Sequence, residues 1–191
     1  MNDDVSVRRV GAAQAAACVE GLADVLVDCV EGGASVSFMG PLRRAKALAF
    51  WRGVAEGVAR GERALLVAED GAGRILGTAQ LILAMPDNQP HRADVAKMLV
   101  LRGVRRRGIA QRLMTAIDDA ARSEGRTVLV LDTATGGDAE RLYERAGWQR
   151  VGVVPNYALM PDGRFCATTF FYKHLAPTMP AATSDSISST P

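Results

Sequence analysis

Between positions 97 and 123 the chain passes from an apolar run, through a basic turn, into an amphipathic segment. The run Lys97-Met98-Leu99-Val100-Leu101 reads as a buried strand. Arg102-Gly103-Val104-Arg105-Arg106-Arg107-Gly108 is too polar and too glycine-bearing to extend it. Beyond the turn, Ile109, Leu113, Ile117 and Ala120 recur at steps of three or four, which predicts a helix with one core-facing stripe. The first backbone N–H groups of such a helix lack intrahelical partners and carry the positive end of its dipole. A strand that feeds a tight basic loop and then a helix N-terminus is a seat for a phosphate.

Two familiar phosphate loops are ruled out by their spacing. The chain contains no G-x-x-x-x-G-K-[ST], and no G-x-G-x-x-G follows a strand-like run. Bulk charge does not suggest a polyanion partner: the formal net charge is only +2, and no aromatic residues interleave the arginines of the turn. Nucleic acid is therefore not an expected partner. At 191 residues, 48% of them hydrophobic, the chain is long enough to bury a full core. Three cysteines, Cys18, Cys29 and Cys166, are an odd number without metal-ligand spacing. They predict reduced thiols, a cytoplasmic setting and no metal. No apolar leader or membrane span is readable.

Taken in order, residues 5–10 predict a strand. Residues 12–30 predict one helix, with Ala15, Val19, Leu22, Leu26 and Cys29 on one face. Pro41 suits the first position of a second helix running to about residue 60, with Leu42, Ala45, Leu48 or Ala49 and the neighbourhood of Trp51 turned inward. Phe38 and Met39, in the loop between these helices, either wall a substrate pocket or plug the core. Residues 64–68 and 75–83 form a hairpin around the turn at 69–74. After a polar connection come the strand at 97–101, the loop and its helix to about 123. A buried strand at 127–131 should lie beside the 97–101 strand. A short helix over 138–146 ends at Gly147, and strands at 149–154 and 165–173 follow. One domain over 1–175 is expected, and 176–191, rich in Pro, Ser, Thr and Ala, reads as a disordered tail.

The turn Arg105-Arg106-Arg107-Gly108-Ile109-Ala110 fits Q/R-x-x-G-x-G/A and resembles the acetyl-CoA loop of the GNAT (Gcn5-related) N-acetyltransferases. A second segment agrees: residues 139–148, with Leu142, Tyr143, Gly147 and Trp148, resemble that family's A-x-x-[FL]-Y-x-x-x-G-[FW]. The element order β-α-α-β-β-β-α-β-α-β-β is similar to the GNAT fold. This is an α+β fold whose mixed, mostly antiparallel sheet is flanked by helices and splayed between two central parallel strands. A narrower likeness links Pro86 and residues 88–93, 105–110, 131–136 and 33–36 to the tabtoxin-resistance branch, which acetylates the amino group of a toxic amino-acid β-lactam. The implied activity is acetyl transfer from acetyl-CoA to a primary amine of a small molecule, possessed by a monomer or homodimer.

The resemblance implies a site. Main-chain amides of Arg106, Arg107, Gly108, Ile109, Ala110 and Gln111 would cradle the diphosphate, with Arg105, Arg107 and Arg112 adding charge nearby. Asp138 and the strand residues Leu99, Val100 and Leu101 belong to the same cofactor set, and an N–H near Leu99 or Val100 would stabilise a developing oxyanion. Tyr143 would protonate the departing sulfur. A primary amine is charged at neutral pH, so a carboxylate must take its proton, and Asp94 and Asp132 are the candidates. The tabtoxin-resistance branch has glutamate where Asp94 stands, and the shorter side chain favours a water relay. Asp132 alternatively caps the turn after its strand. Phe38, His91, Asp132 and Tyr157 are candidate acceptor contacts, although His91 also suits a loop hydrogen bond and Tyr157 an exposed loop position. A protein or peptide amine acetyltransferase and a non-catalytic acyl-CoA-binding protein are the alternatives.

Overall fold

The computed structural model describes residues 5–176. Apart from Ala176, the segment expected to be a disordered tail lies outside them. Seven strands, β1 (Ser6–Val10), β2 (Arg63–Glu69), β3 (Ile75–Ile82), β4 (Arg92–Val100), β5 (Val128–Ala134), β6 (Gln149–Leu159) and β7 (Phe165–His174), form one sheet in the order β1-β2-β3-β4-β5-β7-β6. Every neighbouring pair is antiparallel except β4 and β5. Those two parallel strands pair only over Arg92↔Val128, Ala93↔Leu129 and Asp94↔Val130. The expected neighbour of the 127–131 strand, residues 97–101, is thus the part of β4 that has already diverged from β5. The paired part begins five residues earlier, in a stretch with too little apolar character to announce a strand.

The helices α1 (Ala12–Ala15), α2 (Val19–Glu31), α3 (Arg44–Ala59), α4 (Ile109–Ser123) and α5 (Asp138–Arg145) cover the two faces. Leu113, Met114 and Ile117 of α4 are almost wholly buried, in one core with Leu66, Leu81, Val95, Leu129 and Phe171. On the opposite face Leu22, Leu26, Trp51 and Val54 pack on Leu65, Val67 and Leu99. Alternate residues of β2 divide between the cores, as a strand buried on both sides requires.

Three expectations for the first two helices are corrected. The predicted helix over 12–30 breaks at residues 16–18, where the Cys18 N–H is shared between the carbonyls of Gln14 and Ala15. Apolar spacing from Ala15 to Val19 is continuous across the break and gave no sign of it. The next helix starts at Arg44 rather than Pro41, because Arg43 is still extended at its N-cap. Leu42 and Trp51 are buried as expected, but the inward stripe of the helix runs through Ala47, Trp51 and Val54, while Ala45 and Ala49 are exposed. Finally, β6 continues past residue 154 to Leu159, through Pro155 and a left-handed Asn156, with a register shift between Val154 and Ala158. An edge strand can accommodate a proline and a bulge in this way.

Candidate active site

Where β4 and β5 part, the sheet leaves an opening, and the chemistry-bearing residues gather around it. From Val95 onward the β5 side of β4 has no partner strand among the described residues. Short of Val100, whose carbonyl accepts from Arg105 and Cys29, such an edge suits an extended, amide-bearing ligand in the manner of an added strand. At the end of β4, a 3-10 turn over Arg102–Val104 leads to a left-handed Arg106 (φ 63°) and a left-handed Gly108 (φ 77°) at the N-cap of α4. A left-handed conformation is the reason glycine is needed at 108. Among the described residues no side chain caps α4, which leaves its first amides free of a side-chain cap and suited to an anion.

The arginines of this loop divide their work. Arg102 donates from its backbone N–H and from Nε to the Asp28 carboxylate, at 2.8 and 2.9 Å. That pairing helps hold Asp28 below the usual carboxylate range against its burial. Arg105 turns back onto the strand, its Nε donating to the Val100 carbonyl at 3.2 Å and Nη2 contacting Cys29 Sγ at 3.8 Å. Arg112 donates to the Val5 carbonyl. Arg102 and Arg105 therefore pin the loop to α2 and β4.

Tyr143 lies on α5 and is 6% exposed, its ring 5.8 Å from that of Phe171 and 6.1 Å from that of Trp148. Burial, together with the Asp132 charge, pushes the phenol up to about 12. The hydroxyl is protonated at neutral pH, as an ordinary phenol is, and the shift carries that state further into the alkaline range. Asp94 is the last residue of β4 that pairs with β5. Burial raises its carboxyl despite a hydrogen-bonded pair with Arg92. Asp132, two residues beyond the last residue of β5 that pairs with β4, is raised by burial and by Asp94, and Lys97 opposes the shift. Each carboxyl is thus a better proton acceptor than an ordinary surface aspartate.

Several groups at the opening were not found from sequence. Lys97 is left-handed (φ 52°), and its Nζ donates to Ser37 Oγ at 3.2 Å and stands 5.7 Å from the Phe50 ring centroid. Phe170 pairs directly with Asp132 across β5 and β7 and carries Tyr157 edge-on at 5.6 Å. The loop between α2 and α3 reaches over this face. It is held on the last hairpin by Ser35 Oγ, which donates to the Leu159 carbonyl at 3.0 Å, and by the Gly40 N–H, which donates to the Pro161 carbonyl at 2.9 Å. None of these contacts has a motif; only the fold brings the segments together.

The remaining expected residues are placed as follows. Leu99 and Val100 are buried in the strand beside the opening, and the Leu101 N–H donates to the Leu76 carbonyl at 2.9 Å. Ile109 is buried under the loop, whereas Ala110 and Gln111 lie in the first turn of α4, with Gln111 exposed. Phe38 is 9% exposed and meets Phe50 edge-on at 5.2 Å, so it closes the core beneath the acceptor face, while Met39 is exposed. Tyr157 is exposed but belongs to β6 rather than to a loop. Asp138 begins α5 with an exposed side chain paired to Arg141. His91 stands apart at the closed end of the β4–β5 pair, where its carbonyl accepts the N–H groups of Thr127 and Val128 at 2.8 and 3.1 Å.

A seat of main-chain amides beside a parting pair of central parallel strands defines the class of acyl-CoA-dependent acyltransferases. The comparisons with known proteins agree. Residues 61–150 match the model of the acetyltransferase (GNAT) domain. An uncharacterized N-acetyltransferase from the hisH-hisA intergenic region of Azospirillum brasilense is 33% identical over 132 residues, covering 68% of this chain and 75% of that protein. The chain belongs to the GNAT acetyltransferase family, whose cosubstrate is acetyl-CoA. Its fold is shared with a ribosomal-protein-alanine N-acetyltransferase from Brucella melitensis (TM-score 0.73, 22% identity, 89% of this chain and 99% of that one). It is shared equally with a phosphinothricin acetyltransferase from Sinorhizobium meliloti in complex with acetyl-CoA (TM-score 0.72, 16% identity, 94% of each chain). Among the described residues no group of three or more His, Cys, Asp or Glu could hold a metal ion, and no helix is long and apolar enough to cross a membrane.

Proposed function

We propose that this N-acetyltransferase acts on the primary amine of a small, amino-acid-like molecule. A β-lactam amino-acid toxin is the member of that class suggested by the likeness in Pro86 and residues 88–93, 105–110, 131–136 and 33–36. The observation that carries the reading is the pair Asp94 and Asp132 at the parting of β4 and β5, with Tyr143 close enough to feel the Asp132 charge. The uncapped, left-handed turn into α4 fits a diphosphate, and the open edge of β4 fits the amide-bearing arm of the coenzyme. Bound there, acetyl-CoA supplies an activated acyl carbon and a thiolate leaving group.

The chain's own residues supply the rest. Amides of residues 106–111 hold the diphosphate, and Leu99, Val100 and Leu101 line the arm. Asp94 or Asp132, directly or through water, takes the proton from the acceptor ammonium and leaves the nitrogen lone pair free. Tyr143 holds a proton on its hydroxyl for the departing sulfur. A small acceptor, rather than a protein amine, is supported by the loop of residues 35–40, which is tied down over the acceptor face. A reducing, cytoplasmic setting is supported by three free, buried cysteines.

The test is a screen of amino acids, β-lactam analogues, aminoglycosides, polyamines and peptides with free N-terminal or lysine amines for thiol release from acetyl-CoA, with mass spectrometry of the product. Turnover of amino-acid-like amines is the expected result. Turnover confined to peptide or protein amines would overturn the reading.

A further inference from the structure

The side chain of Lys97 has no part in the chemistry described so far, yet the backbone is bent to place it. Along β3 and β4 the pairs run Ile82↔Asp94, Leu81↔Val95 and Gln80↔Ala96, then resume at Thr78↔Leu99. Two residues of β4, Lys97 and Met98, therefore stand against Ala79 alone, and Lys97 takes a positive φ that only glycine adopts without strain. In regular alternation Lys97 would share the face of Val95, which is packed in the core under α4. The bulge sends it to the other face, where Nζ meets Ser37 Oγ and the Phe50 ring.

Its electrostatic position is unusual for this chain. Lys173 is satisfied by the Asp118 carboxylate at 2.6 Å and the Ala146 carbonyl at 2.7 Å. Lys97 spends one N–H on a neutral hydroxyl and, among the described residues, forms no ion pair; Asp132 acts on it only at longer range. Burial and the Arg63 charge both weigh against its protonation. Arg63 is turned to Gln80 Oε1 at 3.0 Å, and Arg92 is taken by Asp94. Lys97 is thus a half-buried ammonium with donors to spare, on the same face as two carboxylates whose ionisation burial also opposes.

Resting on the reading of the enzyme as an acetyltransferase of small amines, we propose that Lys97 determines acceptor specificity by binding an anionic group, a carboxylate, on the acceptor. The opening then recognises a zwitterion from both ends. The acceptor ammonium sits towards Asp94 and Asp132, and its carboxylate accepts a charge-assisted hydrogen bond from Nζ, with Ser37 Oγ beside it. Lys97 gains the opposite charge that no side chain pairs with it among the described residues, and the acceptor ammonium meets Asp132 directly and Asp94 beside its Arg92 partner. Polyamines and aminoglycosides, which would bring a second cation against Lys97, are disfavoured by the same arrangement.

The experiment compares each amino acid of a panel with its amide and its decarboxylated amine, in the wild type and in Lys97→Met and Lys97→Arg. The wild type is expected to favour the free acid over the amide in kcat/KM by about tenfold or more, the scale of one charge-assisted hydrogen bond. Lys97→Met should bring that ratio towards one, chiefly through KM for the acid, and Lys97→Arg should restore much of it. A ratio that survives Lys97→Met, or a wild type that prefers amides, overturns the proposal. Loss of acid and amide turnover alike in Lys97→Met would mark a structural lysine and also overturn it. Should no amine of the panel be acetylated, the small-amine reading itself fails. Calorimetric binding of the same acids and amides then separates the two ideas: discrimination that depends on Lys97 sustains anion recognition, and its absence removes it.

Discussion

The same strands treat charge in opposite ways on their two faces. Under α4, β2 to β5 present Leu66, Leu81, Val95 and Leu129 to Leu113 and Ile117, a closed apolar layer. On the other face, around the parting of β4 and β5, they present Gln80, Asp94, Lys97 and Asp132. The carboxyls there are raised and the ammonium lowered, all by burial first. One face is satisfied by its own residues, and the other holds charges that a ligand would satisfy better. The lesson is that the closed core under α4 and the acceptor-side charges are divided by the pleat, so the two should be separable by mutation.

Four measurements can break or sharpen that division. Leu113→Ala, which empties a fully buried site under α4, should cost about 2–5 kcal/mol of stability in urea unfolding. A cost far below that range would mean the closed face is not where the fold is held. Tyr143→Phe keeps the packing on Phe171 and Trp148 and removes the proton. A fall in kcat of about 10²-fold with little change in acetyl-CoA affinity is expected, and an unaltered kcat would end its role as acid. Asp94→Asn and Asp132→Asn should, in at least one case, displace the rise of activity towards the alkaline range, where a primary amine loses its proton unaided, at about pH 10. Two unshifted profiles would leave bulk water as the proton acceptor.

The smallest effect concerns stability. A raised carboxyl means that the folded state binds its proton more tightly than the unfolded chain does. Stability contributed at Asp132 is therefore present at low pH and lost as pH rises from the unfolded value through the raised one. Asp132→Asn should abolish that loss, so the variant gains on the wild type in thermal melts at neutral pH and not in acid. A variant less stable than the wild type at neutral pH would place Asp132 among the supports of the fold.

Much of this architecture was readable in advance because it is periodic or chemically marked. The stripe Ile109, Leu113, Ile117 is buried as its spacing requires, Gly108 is left-handed at the mouth of α4, and Gly147 closes α5 in the same conformation. The acceptor side was far less legible. A left-handed lysine leaves no compositional mark, so the bulge that turns Lys97 was invisible. Phe170 meets Asp132 only through strand pairing, and Ser37 meets Lys97 across sixty positions of chain. His91 looked chemical because of its imidazole, whereas its backbone carbonyl is what joins the bases of β4 and β5.

The cover over the acceptor side is fastened at its far end to two carbonyls, those of Leu159 and Pro161. Every amino acid brings a carbonyl, so the hairpin can drift in sequence at those positions without dropping either fastening. Of the two donors, one is likewise main-chain, and only Ser35 depends on its own identity. Descendants of this chain are consequently free to reshape what lies beneath the cover while it stays shut, which is a physical route by which one lineage can come to serve many amines.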